Sequence, residues 1–268
     1  MAEQPQQEYV FRPIGVFRSL AKYTYDVPRQ GALAENLGTI ELRNGFSFED
    51  ALYRIEGFSM LWVLFIFDRN VGRWKPRVLP PRHTTRKVGV FATRSPYRPN
   101  PIGLSCVRLV EVRGRTLTVA AHDLLDGTPI VDIKPYLPYA DAFPDAAAGW
   151  TADDDMPSFE VAYSPLARQQ VEWLIQRDIP CLRDYISDRL ANNPLDGDRN
   201  RLVKCEGEEH TLAYRTWRVA FQCDTDAKRI LVTRLFSGYS KDELLPGTED
   251  IYADKELHRA FCRMNWRA

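Results

Sequence analysis

The chain has 268 residues, 44% hydrophobic and 27% charged, and its 36 Lys and Arg are balanced by 36 Asp and Glu. That composition describes a globular protein of one or two domains with enough chain for its own core, and it argues against disorder and against a membrane protein. The longest apolar run, MLWVLFIF at Met60–Phe67, is too short to cross a bilayer, no basic and apolar leader pattern opens the chain, and five cysteines without C-x-x-C pairing suit a reducing cytoplasm.

Taken in chain order, YVFRPIGVFRS gives an apolar, β-branched opening, and GTIEL is a short strand bounded by Gly38 and by Asn44-Gly45. SFEDALYRI predicts a short helix with Ser47 as N-cap and Glu49 and Asp50 in the first turn. MLWVLFIF reads as a strand buried on both faces, and VGVFAT as another strand. GLSCVRLVEVRGRTLTVAAHDL predicts two strands joined in a hairpin at Arg113-Gly114-Arg115. LLDGTPIVDIKPYLP adds an Asp126-Gly127 turn and a strand stopped by Pro135 and Pro138. Many short strands and one helix point to an antiparallel or mixed β-barrel.

Between Asp141 and Pro157 the composition turns to Ala, Asp, Gly and Pro, a linker signal. Beyond it, Ser164 as N-cap and Pro165 at the first helical position open a helix through SPLARQQVEWLIQRD. CLRDYISDRLANN is a second helix, HTLAYRTWRVAFQCD and RILVTRLFS read as paired strands, and the stretch from Tyr252 to Met264 is helical. The expected fold class is mainly β, with a barrel over residues 1–145 and a smaller α+β domain over 146–268.

The neutral net charge hides an asymmetry. From Arg69 to Val110 stand ten Lys and Arg and no Asp or Glu, so this segment carries a local positive field suited to a polyanion, nucleic acid first. Within it lies TRSPYRPNPIG, Thr93–Gly103, whose three prolines forbid a helix or a central strand and hold Arg94, Arg98 and Asn100 on a stiff, extended frame. A rigid frame loses little entropy on binding a ligand. The plain alternative is an edge loop capping a barrel.

Common enzyme motifs are missing. There is no G-x-G-x-x-G, no P-loop and no G-x-S-x-G, and the four histidines show no metal-ligand spacing. Three smaller stretches remain: VPRQGA, with Arg29 and Gln30 beside Gly31; FDRN, with Asp68 and Arg69 at a strand end; and AAHDLLDG, with His122 and Asp123 at another. Each has a structural alternative, a surface arginine, a turn ion pair or a turn former.

Together VPRQ at Val27–Gln30, LWVLFIF at Leu61–Phe67, GVFATRSPYRPNPIGLS at Gly89–Ser105 and DLLDGTPIVDIKPYLPYAD at Asp123–Asp141 resemble the TrmO (TsaA-like) family of S-adenosylmethionine-dependent tRNA methyltransferases. The resemblance covers residues 9 to 145 and implies a β-barrel methyltransferase domain unlike the Rossmann type, acting as a homodimer in the cytoplasm. The implied reaction is methylation of N6 of N6-threonylcarbamoyladenosine beside the anticodon of threonine tRNAs. The implied S-adenosylmethionine contacts are Gln30, Gly31, Ala32, Asp68, Arg69, Arg94, Leu104, Ala120, Ala121, His122 and Asp123. Members often carry His-Gln where this chain has Asp68-Arg69.

Methyl transfer is an in-line displacement at an activated sulfonium, so alignment supplies much of the acceleration and no metal is required. Arg94 and Asp123 are the candidate catalytic residues, with Asp68, His122 or a water as other acceptors of the N6 proton. Arg86 and Lys87 would grip phosphates, and Tyr97 and Arg98 would stack splayed loop bases. Two rivals stay open: a barrel methyltransferase for a small molecule, and a non-catalytic RNA-binding module. The C-terminal domain is expected to assist tRNA binding.

Overall fold

The computed structural model describes residues 9–28, 31, 36–80, 86–152, 158–177, 179–192, 194–195, 203–204 and 209–266. The chain divides into two compact units, 1–147 and 148–268.

In the first unit, period-two burial builds a barrel. Along β3 (Met60–Ile66) Leu61, Val63 and Phe65 point inward and are at most 4% exposed, whereas Met60, Trp62, Leu64 and Ile66 are half-buried. The run expected to be buried on both faces is therefore fully buried on one. In a closed barrel only the inner face meets the core, and β-branched and aromatic side chains fill it from every strand. Six strands close it in the order β1 (Gly15–Ser19), β2 (Leu37–Leu42), β7 (Thr116–Ala120), β6 (Ile102–Arg113), β3 and β8 (Pro129–Pro135). Every neighbouring pair is antiparallel, and closure comes from Gly15 opposite Ile130 and Val16 opposite Pro129. Phe17, Ile40, Leu61, Val63, Val107, Leu117, Val119 and Ile130 form the core, each fully buried.

The hairpin expected at residues 113–115 joins β6 and β7, with Gly114 at φ 56°, a left-handed turn that favours glycine. The helix expected after Ser47 forms as α1 (Phe48–Ala51), but Ser47 itself has φ 51° and its hydroxyl caps nothing. VGVFAT is a strand only at its start. Val88–Gly89 (β5) pairs with Arg77–Val78 (β4), and Val90–Ala92 then winds into a 3-10 turn. The Thr93 hydroxyl donates to the Val90 carbonyl at 2.8 Å, which closes that turn and ends the extended backbone. A single turn at Pro138–Asp141 (α2) follows β8.

The second unit is a five-stranded sheet in the order β10 (Val203–Lys204), β11 (Glu209–Tyr214), β12 (Trp217–Asp224), β13 (Arg229–Ser237) and β9 (Glu160–Tyr163), antiparallel except for β9 on β13. Helix α3 (Pro165–Ile175) starts as expected, with Ser164 Oγ accepting from the Ala167 N–H at 3.0 Å. Its buried Gln170 accepts from the Leu235 N–H at 2.6 Å. Helices α4 (Leu182–Asn192) and α5 (Lys255–Arg263) are also present among the described residues, so the class of this unit is α+β as expected.

Candidate functional site

Strand β7 ends at fully buried Ala120, and the chain then turns sharply through Ala121, which takes a left-handed φ of 60° without being glycine. Asn36 holds this turn from the edge of β2. Its side-chain amide donates to the His122 carbonyl at 2.9 Å and accepts from the His122 N–H at 3.1 Å, while the Asn36 carbonyl accepts from the Ala121 N–H at 3.2 Å. The strained backbone is thus fixed by three bonds to one residue. Gly31 lies against the same turn: a Cβ there would fall 2.4 Å from the Ala121 carbonyl oxygen, so only glycine permits the approach.

His122 is buried, with its ring 4.6 Å from that of Phe17. Its Nδ1 accepts from the Leu124 N–H at 3.3 Å, which places the proton of the neutral ring on Nε2. Among the described residues Nε2 has no hydrogen-bond partner. Burial pushes the imidazole pKa down, so the ring is neutral at ordinary pH.

Asp123 retains some exposed surface, yet its carboxyl is desolvated. Burial pushes its pKa up, and three groups oppose this: the Ser105 hydroxyl, its own backbone and the charge of Arg94. The Ser105 hydroxyl donates directly to Oδ1. Arg94, exposed on the proline loop, also bears on Cys106, two strand positions from Leu104. Asp123, Arg94 and the Ala120–His122 turn therefore gather at one end of the barrel. Leu104 is 52% exposed on the outward face of β6.

Asp68 and Arg69 begin a short 3-10 turn after β3, and both are exposed. Arg69 is occupied by backbone: Nη1 donates to the Lys22 carbonyl at 2.6 Å and Nη2 to the Asp126 carbonyl at 3.3 Å. It ties the loop that runs toward Gly31 to the loop that follows Asp123. Gln30 and Ala32, expected beside Gly31, lie outside the described residues, as does Arg29.

The proline loop is held by its own polar groups. Arg98 Nη1 donates to the carbonyls of Val90 at 3.2 Å and Thr93 at 2.8 Å, so the guanidinium expected to meet RNA is turned onto its own loop. Tyr97 is half-buried, with Lys75 Nζ 4.4 Å from its ring centroid. Arg86 and Lys87 are exposed immediately before Val88. Ser105 and Asn36 were not singled out from the sequence. Nothing in their local spacing marks them, because their partners stand 18 and 86 positions away.

Residues 16–142 match the family model of the tRNA-methyltransferase O N-terminal domain. The chain is 40% identical over 217 residues to a protein named tRNA (adenine(37)-N6)-methyltransferase from Escherichia coli (strain K12), covering 78% of this chain and 89% of that one. It is 42% identical over 132 residues to an S-adenosyl-L-methionine-binding protein of Archaeoglobus fulgidus, covering 49% of this chain and 92% of that protein. The crystal structure of TrmO from Pseudomonas aeruginosa superposes with a TM-score of 0.61 at 35% identity, over 85% of this chain and 98% of that one. These relatives make the six-stranded barrel a methyltransferase domain of a non-Rossmann type. This chain belongs to the tRNA-methyltransferase O family.

Proposed function

We propose that this protein transfers a methyl group from S-adenosylmethionine to N6 of adenine 37 in tRNA, and that the accepting base is N6-threonylcarbamoyladenosine. The observation that carries the reading is the desolvated carboxyl of Asp123, bonded to Ser105 and within the field of Arg94, beside a segment of ten cations and no acid.

The residues present fit the cofactor. Gly31 allows backbone to lie against the Ala120–His122 turn, and the buried Nε2–H of His122 offers a donor with no other partner among the described residues. Arg94 would hold the cofactor's carboxylate, Leu104 would pack against the face of its adenine ring, and Gln30, Ala32 and Asp68 would complete the contacts. Arg69 acts by fixing the two loops around them. Bound S-adenosylmethionine supplies an electrophilic methyl group on a sulfonium.

Asp123 acts as acceptor of the N6 proton. A carboxyl whose pKa is raised by burial is better matched to a proton from nitrogen than a fully solvated one, and the Ser105 hydroxyl keeps it oriented. Arg94 keeps the carboxyl ionised enough to accept. Arg86 and Lys87 hold phosphates and give affinity without sequence information. The outward pairs Leu64 with Leu104 and Ile66 with Ile102 give the barrel an apolar exterior that suits a second copy, in keeping with a homodimer. Among the described residues no helix is long and apolar enough to cross a membrane, and a cytoplasmic site of action follows from the tRNA substrate. Residues 148–268 assist tRNA binding in this reading.

The test is transfer from labelled S-adenosylmethionine to two tRNA pools, one with threonylcarbamoyladenosine and one without, followed by nucleoside analysis. Label on N6 in the modified pool alone is the expected result. Label in both pools would remove the threonylcarbamoyl requirement, and label in neither would overturn the reading.

A further inference from the structure

Bases splayed out of an RNA loop are held by stacking on exposed aromatic rings, and the sequence suggests Tyr97 and Arg98 for that work. In the fold Tyr97 is half-buried with Lys75 Nζ 4.4 Å from its ring centroid, and Arg98 is bonded to its own loop. Two other rings are more exposed. Trp74 is 47% exposed and Phe91 73% exposed, their centroids lie 6.2 Å apart and their planes are inclined by only 28°.

We propose that Trp74 and Phe91 form a stacking platform for an unstacked nucleotide flanking the one that is methylated; this rests on the tRNA reading above. The platform is preorganised. Its two segments are tied by the β4–β5 pairing, by the Val90 N–H to the Pro76 carbonyl at 3.1 Å and by the Lys75 N–H to the Tyr97 carbonyl at 3.2 Å. Arg98, anchored on Val90 and Thr93, places its guanidinium 5.7 Å from the Phe91 centroid and buttresses that ring. Only Ala92 and Thr93 separate Phe91 from Arg94.

Charge selects the occupant. Arg73, Lys75, Arg77, Arg86 and Lys87 are exposed around the two rings in sequence, and no acid occurs from 69 to 110. The core of a protein–protein contact is depleted in charge, whereas aromatic rings set among cations are what a single-stranded nucleic acid requires. Neither ring belongs to the barrel core, so the fold does not need their exposed faces.

The test uses the full chain and its tRNA substrate. Trp74→Ala and Phe91→Ala should each raise KM for tRNA roughly ten-fold, with kcat, KM for S-adenosylmethionine and the salt slope of tRNA binding unchanged, because a stack is lost and no phosphate contact is. Trp74→Phe should restore near wild-type KM, which a packing defect would not do. A wild-type enzyme that methylates tRNA while both alanine variants keep its KM overturns the platform alone. A wild-type protein that neither binds nor methylates tRNA overturns the functional reading and the platform with it.

Discussion

Ser105, facing inward on β6, donates its hydroxyl hydrogen bond to the carboxylate of Asp123, which stands three residues beyond the end of β7. Burial raises the Asp123 pKa and this bond lowers it. Ser105→Ala should therefore move the acid limb of the pH–rate profile to higher pH. Asp123→Asn should reduce kcat by about 100- to 10,000-fold, the usual range for losing a positioned base. The sign for stability is opposite. A carboxyl with a raised folded pKa contributes stability that is complete below the ordinary carboxylate range and lost as pH rises through the raised value. Asp123→Asn, neutral at every pH, should thus raise Tm at neutral pH while activity falls. A lowered Tm with activity retained would remove Asp123 from the site.

Two arginines of one loop should fail in different ways. Arg94 is exposed and acts on Asp123 through its charge, so Arg94→Ala should abolish transfer with the fold intact. Unchanged turnover at saturating cofactor would rule this out. Arg98 makes two bonds to backbone carbonyls, and Arg98→Ala should cost about 1–3 kcal/mol in urea unfolding. Its salt slope for tRNA should stay that of the wild type; a slope that flattens would show Arg98 on phosphate after all.

Arg86 and Lys87 precede β5 as exposed neighbouring cations. Arg86→Ala with Lys87→Ala should weaken tRNA binding and reduce the slope of log K against log salt by about 1–2, as each lost phosphate contact removes somewhat less than one unit. Binding measured between low and moderate salt decides it, and an unaltered slope would take both residues off the RNA surface.

In the second unit His258 is fully buried, stacked on Trp217 at 3.7 Å and bonded to Ser237 and Thr216. Thr216 and Tyr239 both donate to Asp254, and Asp250 and Arg218 also face the ring. Burial lowers its pKa from 6.5 to about 4, against the pull of Asp254 and Asp250. A lowered folded pKa means that the unfolded chain takes up the proton first, so this contribution is complete above about 6.5 and is lost as pH falls toward about 4. Thermal unfolding of the wild type should show that loss, and His258→Gln should be less stable at neutral pH with a flatter dependence between those values. An equally steep profile in the variant would assign the loss to other groups.

Local chemistry made most elements legible. Period-two burial, Gly114 and the Ser164-Pro165 start each act within a few residues, and TRSPYRPNP could only be a stiff loop because proline fixes its own backbone and its neighbour's. Ile102 and Gly103, expected in that loop, instead open β6 because no proline follows Pro101 to block pairing with β3. The strand expected through VGVFAT stops early, since a threonine hydroxyl closing a turn competes with pairing to only two residues of β4. The same sequence could not reveal which arginine of the loop faces outward. Arg94 and Arg98 have similar flanks, and only the folded loop brings the Val90 and Thr93 carbonyls to one of them. Nor could it pair Ser105 with Asp123, or Asn36 with His122, because those contacts depend on how strands distant in sequence register in the barrel. Residue types, local turns and the basic segment were therefore determined by the sequence itself. Which polar groups meet, which rings stay exposed and which carboxyl loses its water were decided by closure of the sheet, a long-range event that no short stretch encodes.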